Sequence, residues 1–131
     1  MNSNVVRVGT RGSALALRQT ELVLAELRPL YPELDFQVNT VRTQGDANFA
    51  APLVGMGLGA FVREIEQQLL SGQLDLAVHS LKDLPTQLPE GLELGALLGR
   101  QDPRDVLVDR WGYSLAQLPV GARIGTSSPR R

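Results

Sequence analysis

Val5-Val6-Arg7-Val8-Gly9-Thr10-Arg11-Gly12-Ser13 is the stretch that decides the fold. Val5 to Gly9 has the apolar character of a short buried strand, and Thr10 to Ser13 follows as a turn feeding a helix that begins near Ser13. Leu15, Leu17, Leu22, Leu24 and Leu27 keep helical spacing until Pro29 and Pro32 stop it. The opening unit is therefore strand, loop, helix. Downstream, Phe36 to Val41 alternates as a second strand, and Thr43 to Gly59 is loop-like, with glycines at 45, 55, 57 and 59. Ala60 to Leu70 returns to helix, with Phe61, Ile65 and Leu69 on one face. Leu74 to His79 is apolar enough for a third strand buried on both faces, and Leu92 to Leu98 is expected to be a fourth. Strands alternating with helices imply right-handed crossovers, hence an α/β fold with a mainly parallel sheet and helices on both faces.

The composition excludes several classes. At 131 residues, 43% hydrophobic and 21% charged, the chain has the balance of a globular domain able to bury a core. A formal net charge of -1 supplies no field to attract nucleic acid, although the last nine residues carry Arg123, Arg130 and Arg131 and no acid. With no cysteine and one histidine, neither a disulfide nor a metal site is expected within these residues. The first residues lack the basic and apolar stretches of a secretory signal, and no apolar run approaches membrane-spanning length. A cytoplasmic protein with no membrane or nucleic-acid partner is expected.

Near residue 100 the text changes. Gln101 to Asp105 has the composition of a turn or linker, with Arg104-Asp105 as a turn salt bridge, and Val106-Leu107-Val108 suggests another strand. Ser114 to Gln117 suits one helical turn, before Ile124-Gly125 enters Thr126-Ser127-Ser128-Pro129-Arg130-Arg131. The expected division is a first domain over 1–99, lacking a return strand, and the incomplete start of a second over 100–131.

In parallel α/β sheets, ligands bind beyond the carboxyl ends of the strands. Thr10 to Ser13, Thr43 to Asp46 and Ser80 to Asp83 each follow a strand, so the three loops should converge on that edge. The chain's one lysine and one histidine both lie in Val78-His79-Ser80-Leu81-Lys82-Asp83-Leu84-Pro85, while its other twelve basic residues are arginine. A compact ammonium beside a carboxylate suits chemistry that a planar guanidinium does not. A polar turn after an apolar strand would give the same letters with no function. Thr10-Arg11-Gly12-Ser13 and Gly125 to Pro129 both look like strand ends followed by hydroxyl helix caps, and the second carries Arg130 and Arg131. Such ends offer unpaired N–H groups and guanidinium forks to an anion, though ordinary caps with solvated arginines have the same composition. Gly55-Met56-Gly57-Leu58-Gly59 lacks the Gly-Lys-Ser/Thr of a phosphate loop and suits a mobile loop better.

Five motifs in order resemble the porphobilinogen deaminase (hydroxymethylbilane synthase) family over the whole chain. They are Val8-Gly9-Thr10-Arg11-Gly12-Ser13, Arg42-Thr43-Gln44-Gly45-Asp46, Ala77 to Pro85, Asp102-Pro103-Arg104-Asp105 and Gly125 to Arg131. The resemblance implies a transferase of porphyrin, heme and other tetrapyrrole biosynthesis, about twice this length. Its three domains include two like type II periplasmic binding proteins. It condenses four porphobilinogen units head to tail with release of ammonia, on a dipyrromethane cofactor held by a cysteine of the third domain, absent from this chain. Asp83 would then be the catalytic carboxylate, assisting departure of the aminomethyl nitrogen and stabilising the azafulvene cation. Arg11, Lys82, Arg130 and Arg131 would pair with acetate and propionate groups, and Ser13, Thr126 and Ser128 would donate further hydrogen bonds. Ser80 would contact the cofactor, Asp46 and Phe61 would border the cleft, and His79 would be structural. Where family members carry Gly-Lys-Gly, Val54 to Phe61 here has no lysine. The implied partners are porphobilinogen, the growing oligopyrrole and the missing carboxy-terminal portion, within a monomeric full-length enzyme. The 131 residues alone are expected to be inactive. An alternative from another class is a non-catalytic module binding anions or pyrrole carboxylates, or an association partner using an open sheet edge.

Overall fold

The first strand is longer than its apolar letters suggest. In the computed structural model, which describes residues 4–43, 62–100 and 102–126, β1 runs Val5–Arg11 and includes Thr10 and Arg11. These two belong to the strand rather than to the turn because Thr10 is fully buried and the ladder continues through both, pairing Thr10 with Thr40 and Arg11 with Val41. The turn is thus reduced to Gly12-Ser13. Ser13 takes extended backbone angles and its Oγ accepts the Ala16 N–H at 3.2 Å, capping α1, Ala14–Leu30.

Helix α1 buries Thr20 and Leu24, with Leu17 and Leu27 partly buried on the same stripe. Leu15 and Leu22 lie off that stripe and are exposed, so two of the five leucines that kept helical spacing do not face the sheet. Pro29 does not stop the helix but sits in its last turn, which closes through Tyr31 N–H to the Leu27 carbonyl at 3.0 Å. β2, Asp35–Val41, then pairs in parallel with β1 over seven register positions, from Val5 with Asp35 to Arg11 with Val41.

Helix α2, Arg63–Leu70, carries Glu64 and Glu66 in its first turn, where carboxylates suit the positive end of the helix. It ends at Ser71 and Gly72, whose φ of 70° is a left-handed conformation that glycine takes without steric cost. β3 is short: Leu76–Ala77 pair with Val8 and Gly9, flanked by Asp75 N–H to the Arg7 carbonyl at 2.9 Å and Val78 N–H to the Gly9 carbonyl at 3.0 Å. The expected strand Leu74 to His79 therefore contributes a narrower ladder than its apolar letters imply. The sheet order is β2-β1-β3, all parallel.

Alternation along β1 puts the two helices on opposite faces. Gly9 looks toward α2: a Cβ there would collide with Leu74 Cδ1 and lie 3.4 Å from Ile65 Cγ2. Thr10 looks the other way, to the Ala16 carbonyl and the Thr20 hydroxyl of α1. The α2 face is closed by Val41, Ile65 and Leu74, with Leu69 and Ala77 packed against them.

The described chain divides into two units, Met1–Leu98 and Gly99–Arg131. Neither Leu92 to Leu98 nor Val106 to Val108 is a strand. Apolar letters make a strand only when another strand completes the ladder, and no described segment pairs with either. Leu94, Leu97 and Leu98 are consequently exposed, and Val106 and Val108 keep 82% and 88% of their surface. Leu115–Gln117 does form the expected single turn, here 3-10, with the Ser114 N–H and Oγ both donating to Gln117 Oε1 at 2.8 Å. Arg104 pairs with Asp102 rather than Asp105, its Nε lying 2.8 Å from Asp102 Oδ2, because the Asp102 side chain also accepts the Arg104 N–H and closes an Asx turn. Among the described residues, no helix is long and apolar enough to cross a membrane and no cluster of potential metal ligands occurs.

Candidate active site

Order 2-1-3 makes the gap between β1 and β3 the place where successive crossovers leave toward opposite faces, and ligands settle at the carboxyl side of such a gap. Arg11 is the last residue of β1, and Asp83 closes a 3-10 turn, Leu81–Asp83, six residues beyond β3. The two meet there, with Arg11 Nη1 3.8 Å from Asp83 Oδ2 and side chains 18% and 26% exposed. That separation is an ion pair without a close hydrogen bond. The Asp83 carboxylate therefore keeps acceptor capacity for a ligand.

The turn is built by Asp83 N–H donating to the Ser80 carbonyl at 2.9 Å, and Leu84 N–H to that of Leu81 at 3.2 Å. Pro85 follows, favouring the extended conformation that Leu84 shows. Lys82 is exposed. Ser80 Oγ donates to Gln19 Oε1 of α1 at 2.8 Å, so its proton is directed at the helix and its lone pairs remain. Ser13 is spent as an acceptor in the α1 cap but retains a hydroxyl proton to donate. His79 is partly buried at the end of the strand. Burial is the main cause that lowers its pKa, Asp83 pulls it up and Arg11 pushes it down. The imidazole is accordingly neutral near pH 7.

Of the residues expected at the site, Arg11, Ser13, Ser80, Lys82 and Asp83 gather at this sheet edge. Thr126 is exposed in the second unit. Asp46, Phe61, Ser128, Arg130 and Arg131, together with the lysine-free loop, lie outside the described residues. Gln19, Thr10 and Thr20 are polar groups at the edge that periodicity alone does not single out. The signal was a threonine at position 20 on the stripe of Leu17, Leu24 and Leu27, where a leucine would be expected.

An adjacent cation and anion, both reachable, suit a ligand that carries a carboxylate and an amine together. Residues 6–131 match the family model described as porphobilinogen deaminase, dipyromethane cofactor binding domain. The chain belongs to the porphobilinogen deaminase family. It is 53% identical over 132 residues to a porphobilinogen deaminase of Syntrophobacter fumaroxidans, covering 100% of this chain and 43% of that protein. It is also 54% identical over 130 residues to one of Deinococcus radiodurans, covering 96% and 42%, and 53% identical over 130 residues to one of Clostridioides difficile, covering 98% and 43%. The chain thus spans under half the length of these curated deaminases. A dipyrromethane carries several carboxylates, and the donors at the edge fit such a group: the Arg11 guanidinium, the exposed Lys82 ammonium and the Ser13 hydroxyl.

Proposed function

We propose that the chain is the amino-terminal part of a porphobilinogen deaminase (hydroxymethylbilane synthase) that condenses four porphobilinogen units head to tail and releases ammonia at each step. The observation that carries this reading is the Arg11–Asp83 pair at the β1/β3 gap, in a chain of that family. Porphobilinogen bears two carboxylates and an aminomethyl group, the two charge types that this pair complements.

In this reading Arg11 and Lys82 hold acetate and propionate oxygens, and Ser13 donates a further hydrogen bond. Asp83 lies where the aminomethyl C–N bond breaks. The amino group leaves in its protonated form, so that ammonia carries away the bonding pair and the remaining methylene-pyrrole is cationic, and the carboxylate stabilises that charge as it develops. When bound, the dipyrromethane group supplies the pyrrole end on which the product grows. A thioether to it must come from outside these residues, which contain no cysteine. By the same resemblance, Thr126, Ser128, Arg130 and Arg131 are assigned to carboxylate binding, and Asp46 and Phe61 to bordering the ligand.

The proposed architecture is that of a type II periplasmic-binding-protein-like domain over 1–99 and the beginning of a second over 100–131. The parallel β2-β1-β3 order and the division after Leu98 support it. A cytoplasmic, monomeric full-length enzyme goes with this reading.

The test supplies porphobilinogen to the full-length protein and follows ammonia release and hydroxymethylbilane. Turnover is expected for the full-length protein and none for the 131 residues alone. Asp83→Ala should lower kcat by at least ~100-fold, the size of a lost transition-state electrostatic contact. Full activity in Asp83→Ala, or no turnover by the intact protein, would sink the reading. Calorimetric binding of porphobilinogen that depends on Arg11 but leads to no ammonia would favour a non-catalytic binding module instead.

A further inference from the structure

The 3.8 Å separation of Arg11 and Asp83 has no backbone ladder to set it. β1 is held by β2 over seven register positions, but β1 and β3 pair at only two, and the last flanking bond is Val78 N–H to the Gly9 carbonyl. Beyond Val78, the described backbone bonds of the loop are its own turns, at Asp83 and Leu84. The ion pair is too long to fix the loop by itself. Among the described residues, two side-chain links reach these strand ends from adjacent residues of α1.

Thr20 Oγ1 lies 2.8 Å from Thr10 Oγ1 and 2.9 Å from the Ala16 carbonyl, and both threonines are buried. This hydroxyl pair sets the roll of α1 about its axis relative to β1. Gln19 projects about 100° around the helix from Thr20, and its Oε1 accepts from Ser80 Oγ at 2.8 Å, across 61 residues of chain. Ser80 is the residue from which the turn carrying Asp83 begins.

We infer that Gln19 and Thr20 make α1 a bracket between the two strand ends, so that Thr10–Thr20 and Gln19–Ser80 together place the Asp83 carboxylate against Arg11. Thr10, Gln19 and Thr20 are positioning residues that act through the helix and the loop, and Ser80 joins them to the loop beside the cofactor contact expected of it. The inference deepens the deaminase reading and rests on it for its kinetic consequence, while its structural consequence is independent of any substrate.

The experiment uses the full-length enzyme with Gln19→Ala, Ser80→Ala, their double variant, Thr20→Val and Thr20→Ser. Gln19→Ala should lower kcat by about 10-fold, the scale of a small misplacement of a catalytic group, and Ser80→Ala by at least as much. The double variant should lose no more than Ser80→Ala alone, because Gln19 acts only through Ser80. Losses that multiply to about 100-fold would mean separate contacts to the ligand, and would overturn the bracket. Thr20→Ser keeps the hydroxyl and should keep kcat, whereas Thr20→Val should not; equal kcat in the two variants would remove the Thr10–Thr20 arm. Amide hydrogen exchange at Asp83 and Leu84, measured without substrate, should quicken alike in Gln19→Ala and Ser80→Ala. Unchanged exchange there overturns the inference whatever the activity. Quickened exchange in an enzyme that does not consume porphobilinogen would leave the bracket standing and remove the deaminase reading.

Discussion

At the scale of single residues, the acid–base groups divide into those that hold the sheet and those that face a ligand. Asp75 belongs to the first kind. It accepts the Arg7 backbone N–H at 2.7 Å and the Arg7 Nε and Nη2 at 2.9 and 2.7 Å, and the guanidinium's hydrogen bonds hold its carboxyl down to about 2. A folded-state pKa below the unfolded one means stability that is complete above about pH 4 and lost as pH falls toward 2. Asp75→Asn should therefore flatten the acid limb of a plot of melting temperature against pH. The effect is modest, since both side chains are about 40% exposed and screened by water. His79 works in a different window with the same sign. Burial depresses it below its ordinary value of 6.5, so the unfolded chain binds the proton first and stability declines as pH drops below about 6.5. His79→Gln should abolish that decline below pH 6.5, and a melting curve with an unchanged slope there would contradict the assignment. Asp83, by contrast, keeps its carboxylate at the ligand edge beside Arg11.

At the scale of elements, the ladder depends on how closely β1 approaches α2. Gly9 allows it, because a methyl group at that position would collide with Leu74 Cδ1, and Leu74 is itself packed against Ile65 in the core. Gly9→Ala should destabilise the chain by about 1–3 kcal/mol, the usual cost of overpacking, seen as a lower melting temperature with an unchanged far-ultraviolet spectrum. Gly12→Ala makes a fair control, since a Cβ there meets nothing within 4 Å. These elements were legible to different degrees. The strand–turn–helix opening could be read because its signals are local: valines, a hydroxyl cap and leucines at helical spacing. The ends of the elements were not. Thr10 and Arg11 continue the strand because β2 pairs with them, and Pro29 stays in the helix because its turn is already the last. Two of the three expected loops, those after β1 and β3, meet at one sheet edge as topology dictates, while Thr43 to Asp46 lies almost wholly outside the described residues. Gln19 was not legible, because its meaning depends on Ser80, which lies 61 residues away.

At the scale of the whole chain, the expectations that failed share one cause. Leu92 to Leu98 and Val106 to Val108 carry the letters of strands, yet remain outside any ladder and leave Leu94, Leu97, Val106 and Val108 to solvent. A strand needs a partner for its N–H and C=O groups as well as a face to bury, whereas a helix supplies its own hydrogen bonds. Local sequence therefore specifies α1 and α2 well and leaves these two segments conditional. In the proposed full-length deaminase, segments outside these 131 residues would supply the partner strands. If so, amide exchange over 92–98 and 106–108 should be slow in the full-length protein and near the unprotected rate in the 131 residues, a contrast of at least ~100-fold. Exchange across Val5–Arg11 and Asp35–Val41, whose ladder is complete within the chain, should differ far less between the two. Equal, fast exchange at 92–98 and 106–108 in both would mean that these apolar runs serve a surface other than a sheet. The same comparison bears on the ligand edge, because a β3 paired on both sides would hold the loop of Lys82 and Asp83 more firmly than the two-position ladder with β1 can alone.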